Sequence, residues 1–147
     1  MGRLGGDVKI TNAITTTAGA SGISVVLGGA LDMVGYRSVL MVVTFGPITA
    51  GATTSINAQQ SDTAAFGSPE DLLGTLQTVA DNDDDKVFYI DIHRPSKRYV
   101  RLRVFRGVQA ATIGSALYLQ YDGRKFPAVH GTGVAGESFT GPIEGTP

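Results

Sequence analysis

The sequence has no cysteine and no tryptophan. The first absence removes disulfides, thiol nucleophiles and thiolate metal ligands together, so the fold must be held by burial and hydrogen bonding. Histidine is nearly absent: His93 and His130 are the two present, and neither stands in a nucleophile or zinc-ligand motif. Charged residues make up 17% of the chain and sum to a net charge of -1. A domain built to hold nucleic-acid phosphates normally carries a basic balance, which argues against that class. No apolar run approaches the ~20 residues of a membrane-spanning helix, and the opening MGRLGGDVKI lacks the apolar centre of a signal peptide. The expectation is a soluble, unprocessed protein with no membrane span and no cofactor.

What the chain does have is length, glycine and short apolar runs. Its 147 residues suffice for one domain, and a chain of that size buries roughly two-thirds of its unfolded surface. Hydrophobic residues reach 42%, a globular rather than a disordered composition. The 20 glycines punctuate short apolar segments, as turns between many strands would.

Strand patterns follow one another at Ile23–Leu27, Tyr36–Phe45, Thr53–Ser61, Val87–His93, Tyr99–Phe105 and Ala116–Tyr121. The run YRSVLMVVTF is almost continuously apolar, the pattern of a strand covered on both faces. TTSINAQQS alternates, as a half-exposed strand should. With no helical crossover between them, these strands imply an all-β, mainly antiparallel fold, a single-domain β-sandwich or barrel. One short helix is predicted in FGSPEDLLGTL: Ser68 can cap, Pro69 suits the first helical position, and Glu70 and Asp71 favour the positive end of the helix dipole. The core is placed at residues 23–122. Residues 1–22 and 123–147 are Gly-rich and cannot fold alone; they read either as frayed tails or as extended terminal arms that order on a neighbouring subunit.

Six of the 12 Lys and Arg residues lie between Arg94 and Arg106. If Val87–His93 and Tyr99–Phe105 form a hairpin through the loop RPSKR, one register places Phe88, Ile90 and Ile92 with Val104, Leu102 and Val100 on a single apolar face. That register pairs Asp91 with Arg101 on the outer face, for at most about 1 kcal/mol. The cluster then reads first as a solvated outer face; the alternative makes Arg98, Arg103 and Arg106, left without partners by this register, candidate contacts to an acidic protein partner, together with His130 and Phe139 in the C-terminal segment. The preceding run ADNDDDK has the Asp-x-Asp spacing of a calcium loop at Asp81, Asp83 and Asp85. It lacks that loop's central glycine, and Ile92 stands where its final glutamate belongs, so a solvated turn is expected. The glycine clusters GASG and LGG lack the lysine and following helix of a phosphate-binding loop. No constellation of residues asks for catalysis, and the chain is not expected to be an enzyme. Tyr89, Tyr99, Tyr118 and Tyr121 could serve as stacking rings of a carbohydrate-binding sandwich, although they are more economically placed in or beside the sheet.

The order of the segments carries a further signal. LDMVGYRSVLMVVTFGPITAGATTSINAQQSD (Leu31–Asp62) is followed by an acidic segment, then SKRYVRLRV (Ser96–Val104), then ALYLQYDGRKFPAVHG (Ala116–Gly131). This series resembles the small tailed-bacteriophage proteins encoded with the head genes and read as head decoration, or cement, proteins. The resemblance spans Leu31–Gly131, with FPAVH a loose match to that family's final motif. It implies an all-β virion structural protein, made in the host cytoplasm and placed on the capsid surface. It further implies the major capsid protein as partner, a homo-oligomer with a trimer favoured, and no catalytic, metal or cofactor site. A tail-tube or head-completion role is the alternative within the virion.

Overall fold

Alternation of apolar and polar residues builds two antiparallel sheets that share one core, in a computed structural model that describes residues 3–138, 141 and 143–145. Two helical turns, Leu4–Asp7 (α1) and Thr16–Gly19 (α2), are the helices among those residues. Sheet A runs in the order β1 (Lys9–Ile14), β11 (Ala111–Gly123), β5 (Tyr36–Ile48), β9 (Val87–His93), with β2 (Ser21–Gly22) also on β11. In sheet B, β10 (Tyr99–Gly107) lies between β6 (Thr53–Ser61) and the short strands β3 (Val26–Leu27) and β4 (Leu31–Asp32). Beyond β6 lie β7 (Glu70–Asp71) and β8 (Gln77–Val79).

The core is the meeting of the two inner faces. Val39, Met41 and Val43 of β5, Ile90 of β9 and Ile113 of β11 pack from sheet A; Ile56 and Ala58 of β6 and Val100, Leu102 and Val104 of β10 pack from sheet B. Each set sits at period two along its strand, the spacing that puts successive side chains on opposite faces. The Thr49–Ala52 turn between β5 and β6 is fastened by the acidic run. Asp81 accepts a hydrogen bond from Gly51 N–H at 2.6 Å and Asp84 accepts one from Ile48 N–H at 2.7 Å. Asp81, one of the carboxylates that resemble a calcium loop in spacing, thus works as a cap on a backbone donor, and so does its neighbour Asp84.

Three expectations are corrected. β9 and β10 do not form a hairpin: β9 pairs with β5 in sheet A, and β10 pairs with β6 in sheet B, so the loop between them crosses from one sheet to the other. The helix at Ser68 does not form. Glu70 and Asp71 instead pair with Gln60 and Gln59 at the edge of β6, and Gly74, at φ 82°, turns the chain straight afterwards. Finally, residues 9–14, expected within an N-terminal arm, are β1, paired along its length with β11.

Candidate functional site

The arginines of β10 divide by parity. Arg101 and Arg103 point to the outer face of sheet B, where their cross-strand partners are Gln59 and Asn57. Arg101 Nε donates to Gln59 Oε1 at 2.9 Å, and its guanidinium lies 4.2 Å from the centre of the Phe66 ring. Arg103 reaches Asn57 Oδ1 at 3.4 Å. The amides of Gln59 and Asn57 both donate to Asp71 Oδ1, at 2.9 and 2.7 Å. The Gln59 hydrogen bond, helped by that of Asn57 and by the Arg103 charge, holds the Asp71 carboxyl below its ordinary pKa against the opposing effect of desolvation. The centre of the outer face of sheet B is therefore a polar network, with Phe105 and Leu27 beside it.

Most of the remaining described candidates also bond within the chain. Asp91 does not meet Arg101, because the two lie on the outer faces of different sheets; Asp91 instead accepts from Tyr121 O–H at 2.7 Å. Arg98 makes a two-pronged contact with Asp32, at 3.0 and 2.8 Å, and pulls that carboxyl's pKa down. Arg106 shares the inward parity of Val104 and Leu102 and is only 4% exposed. It donates to the carbonyls of Ser24 at 3.0 Å, Gly19 at 3.2 Å and Ala111 at 2.9 Å, and also to Ala20. As a surface contact Arg106 is thus corrected: it ties residues 19–24 to the end of β10. His130 Nδ1 accepts from Ile10 N–H at 3.1 Å, and Gly131 N–H donates to Ile10 O at 2.8 Å, so the C-terminal segment is pinned to β1. Phe139 lies outside the described residues.

The feature that stands out is the other outer face. Leu40 and Val42 alternate with core residues of β5 and so point away from the core. Their cross-strand neighbours on β11 are Leu119 and Leu117, and Val42 also faces Tyr89 on β9. Beyond Leu119 comes Ile10 on β1, and beyond Thr44 comes Val87 on β9. An apolar stripe crosses all four strands of sheet A on the side away from the core. Leu40, Val42, Leu117, Leu119 and Ile10 are half-buried, while Val87 and Tyr89 are 60% and 63% exposed. Sheet B shows the usual polar outer face of an antiparallel sandwich; sheet A does not.

The two ends of the strands differ in charge. Arg37, Arg94, Lys97, Arg98 and Arg124 line a cleft of about 540 Å³ where β5 begins and β9 and β11 end. Lys97 is held by Glu70 at 2.9 Å and Asp62 at 3.1 Å. Among the described residues Arg37, Arg94 and Arg124 have no carboxylate partner. At the opposite end, where β5 finishes and β9 begins, lie Asp81, Asp83, Asp84 and Asp85, with Lys86 bound to Asp83. Asp84 and Asp85 are exposed.

No known family matches the chain, and no curated protein does. Among solved structures it is similar to the PBSX exported protein XepA, with a TM-score of 0.53 at 17% identity. The match covers 96% of this chain and 46% of XepA, so the chain spans a little under half that protein's length. At such low identity the likeness shows the fold, an all-β sandwich.

Sequence reasoning found the arginines but missed the apolar stripe. Its signal was present in YRSVLMVVTF and ALYLQY, which are apolar at both parities. In YRSVLMVVTF that pattern implies cover on both faces, whereas the described residues bury only one of them fully.

Proposed function

We propose that the chain is a bacteriophage virion structural protein that decorates the outer surface of the capsid and stabilises it by binding the major capsid protein. The observation that carries this reading is the apolar outer face of sheet A, which marks a protein completed by assembly with other subunits, copies of itself included. The order of the segments between Leu31 and Gly131 supplies the kind of assembly, through its resemblance to head decoration proteins. The mechanism is mass action. A protein that binds only the mature lattice lowers that lattice's free energy, and several linked contacts multiply the effect.

The test is co-sedimentation of the purified protein with capsids that lack it, before and after expansion of the shell. Saturable binding to expanded shells alone is expected. Absence of binding to either shell overturns the decoration reading, and self-assembly of the purified protein into tubes would move the assignment to the tail.

A further inference from the structure

We infer that a second copy of this chain covers the outer face of sheet A, packed face to face with its strands antiparallel to those of the first. The stripe made by Ile10, Leu40, Val42, Leu117, Leu119, Val87 and Tyr89 is the contact.

The occupant follows from symmetry and charge. Two sheets packed face to face keep their strands within about 30° of each other. Two identical faces can then meet about a two-fold axis lying in the contact plane, either along the strands or across them. An axis along the strands would set the basic end of one copy beside the basic end of the other, bringing Arg37, Arg94 and Arg124 against their own counterparts. An axis across the strands sets that basic end beside Asp84 and Asp85 of the neighbour, and does so twice. The charged groups concerned sit at the ends of sheet A strands: Arg37 is the second residue of β5, Arg94 follows β9, Arg124 follows β11, and Asp84 and Asp85 precede β9. The face is thus complementary to its own reversed copy. No such complementarity is offered by the outer face of sheet B, where Asp71, Arg101 and Arg103 are already bonded to the amides of Asn57 and Gln59.

This arrangement is an isologous dimer, in contrast with the trimer that the family resemblance favours, and it needs no capsid. Its test therefore stands apart from that of capsid binding. Sedimentation velocity on the purified full chain at roughly 1–100 µM, where a standard-size interface is populated, should show a dimer. Leu119→Glu should abolish it. Because a substitution in the sheet could also unfold the chain, two exposed charges give a second reading. Arg124→Glu and Asp85→Lys should each weaken the dimer about tenfold or more by setting like charges together, with the effect reduced at high salt. The double variant Arg124→Glu/Asp85→Lys exchanges the signs and should restore the affinity. A monomer across the range, a trimer, or a dimer indifferent to both charge reversals overturns the inference.

Discussion

The backbone N–H of Leu102 in β10 donates to the hydroxyl of Tyr118 in β11 at 2.9 Å, a hydrogen bond that crosses the core from one sheet to the other. Tyr118 O–H in turn donates to Gly29 O at 2.9 Å. β3 and β4 leave a gap along the edge of β10 between Leu27 and Leu31, and the tyrosine hydroxyl fills it. Burial pushes the phenol pKa up, so the hydroxyl stays neutral and able to donate.

Tyr118→Phe keeps the ring but leaves the Leu102 donor unsatisfied in the interior. The expected loss is about 1–3 kcal/mol, read as a lower urea midpoint with an unchanged slope. Gly28→Ala should also destabilise, since a Cβ there would collide with the Tyr118 hydroxyl and stand 3.3 Å from Leu102 O. Combined, the two substitutions should cost less than their sum, because the first removes part of the clash made by the second.

Replacing Arg106 with methionine fills similar space but strips the carbonyls of Gly19, Ala20, Ser24 and Ala111 of their donor. Stability should fall by about 1–3 kcal/mol or more, with faster amide exchange in residues 19–24. Arg106→Lys retains the charge without the five-donor fork and should recover only part of the loss.

Acid should weaken the fold through Asp32 and Asp71. Both carboxyls have folded pKa values below their ordinary 3.8, Asp32 chiefly through Arg98 and Asp71 chiefly through Gln59. A depressed folded value gives stability that is fully present above the unfolded pKa and is lost as pH falls through the folded one. Urea midpoints measured from about pH 5 down to about pH 2 should therefore fall, and fall less steeply in Asp71→Asn. A steeper fall in that variant would contradict the assignment.

Removing residues 135–147 should leave the melting temperature of the core unchanged, because the anchoring bonds of the C-terminal segment to β1 are made by His130 and Gly131. Binding to expanded capsids should weaken if this segment is an arm. Unchanged affinity in the same sedimentation assay would remove that role.

The strands were largely legible in the sequence because each carries its own alternation. Thr53–Ser61 and Val87–His93 were read with the bounds they have. Strand partners were not legible. In a sandwich every strand has one inward parity, so matching Ile90 to Leu102 by parity shows that both face the core, not that they share a sheet. Both in fact face the core, from opposite sides. The cap signature at Ser68 is sound chemistry on too short a segment, which the edge of β6 captured instead. β1 was hidden because KITNAI has few large apolar residues and sits among glycine and threonine. The arginines were conspicuous in the sequence because they are charged, yet those of β10 mostly answer neighbours in the fold.

Arg106 performs for residues 19–24 the task that a bound calcium ion performs in many loops: a central positive charge gathers carbonyl oxygens around itself. Here the cation is part of the chain. A chelator cannot remove it, no change in ionic supply can empty it, and the loop closes as soon as β10 is in place.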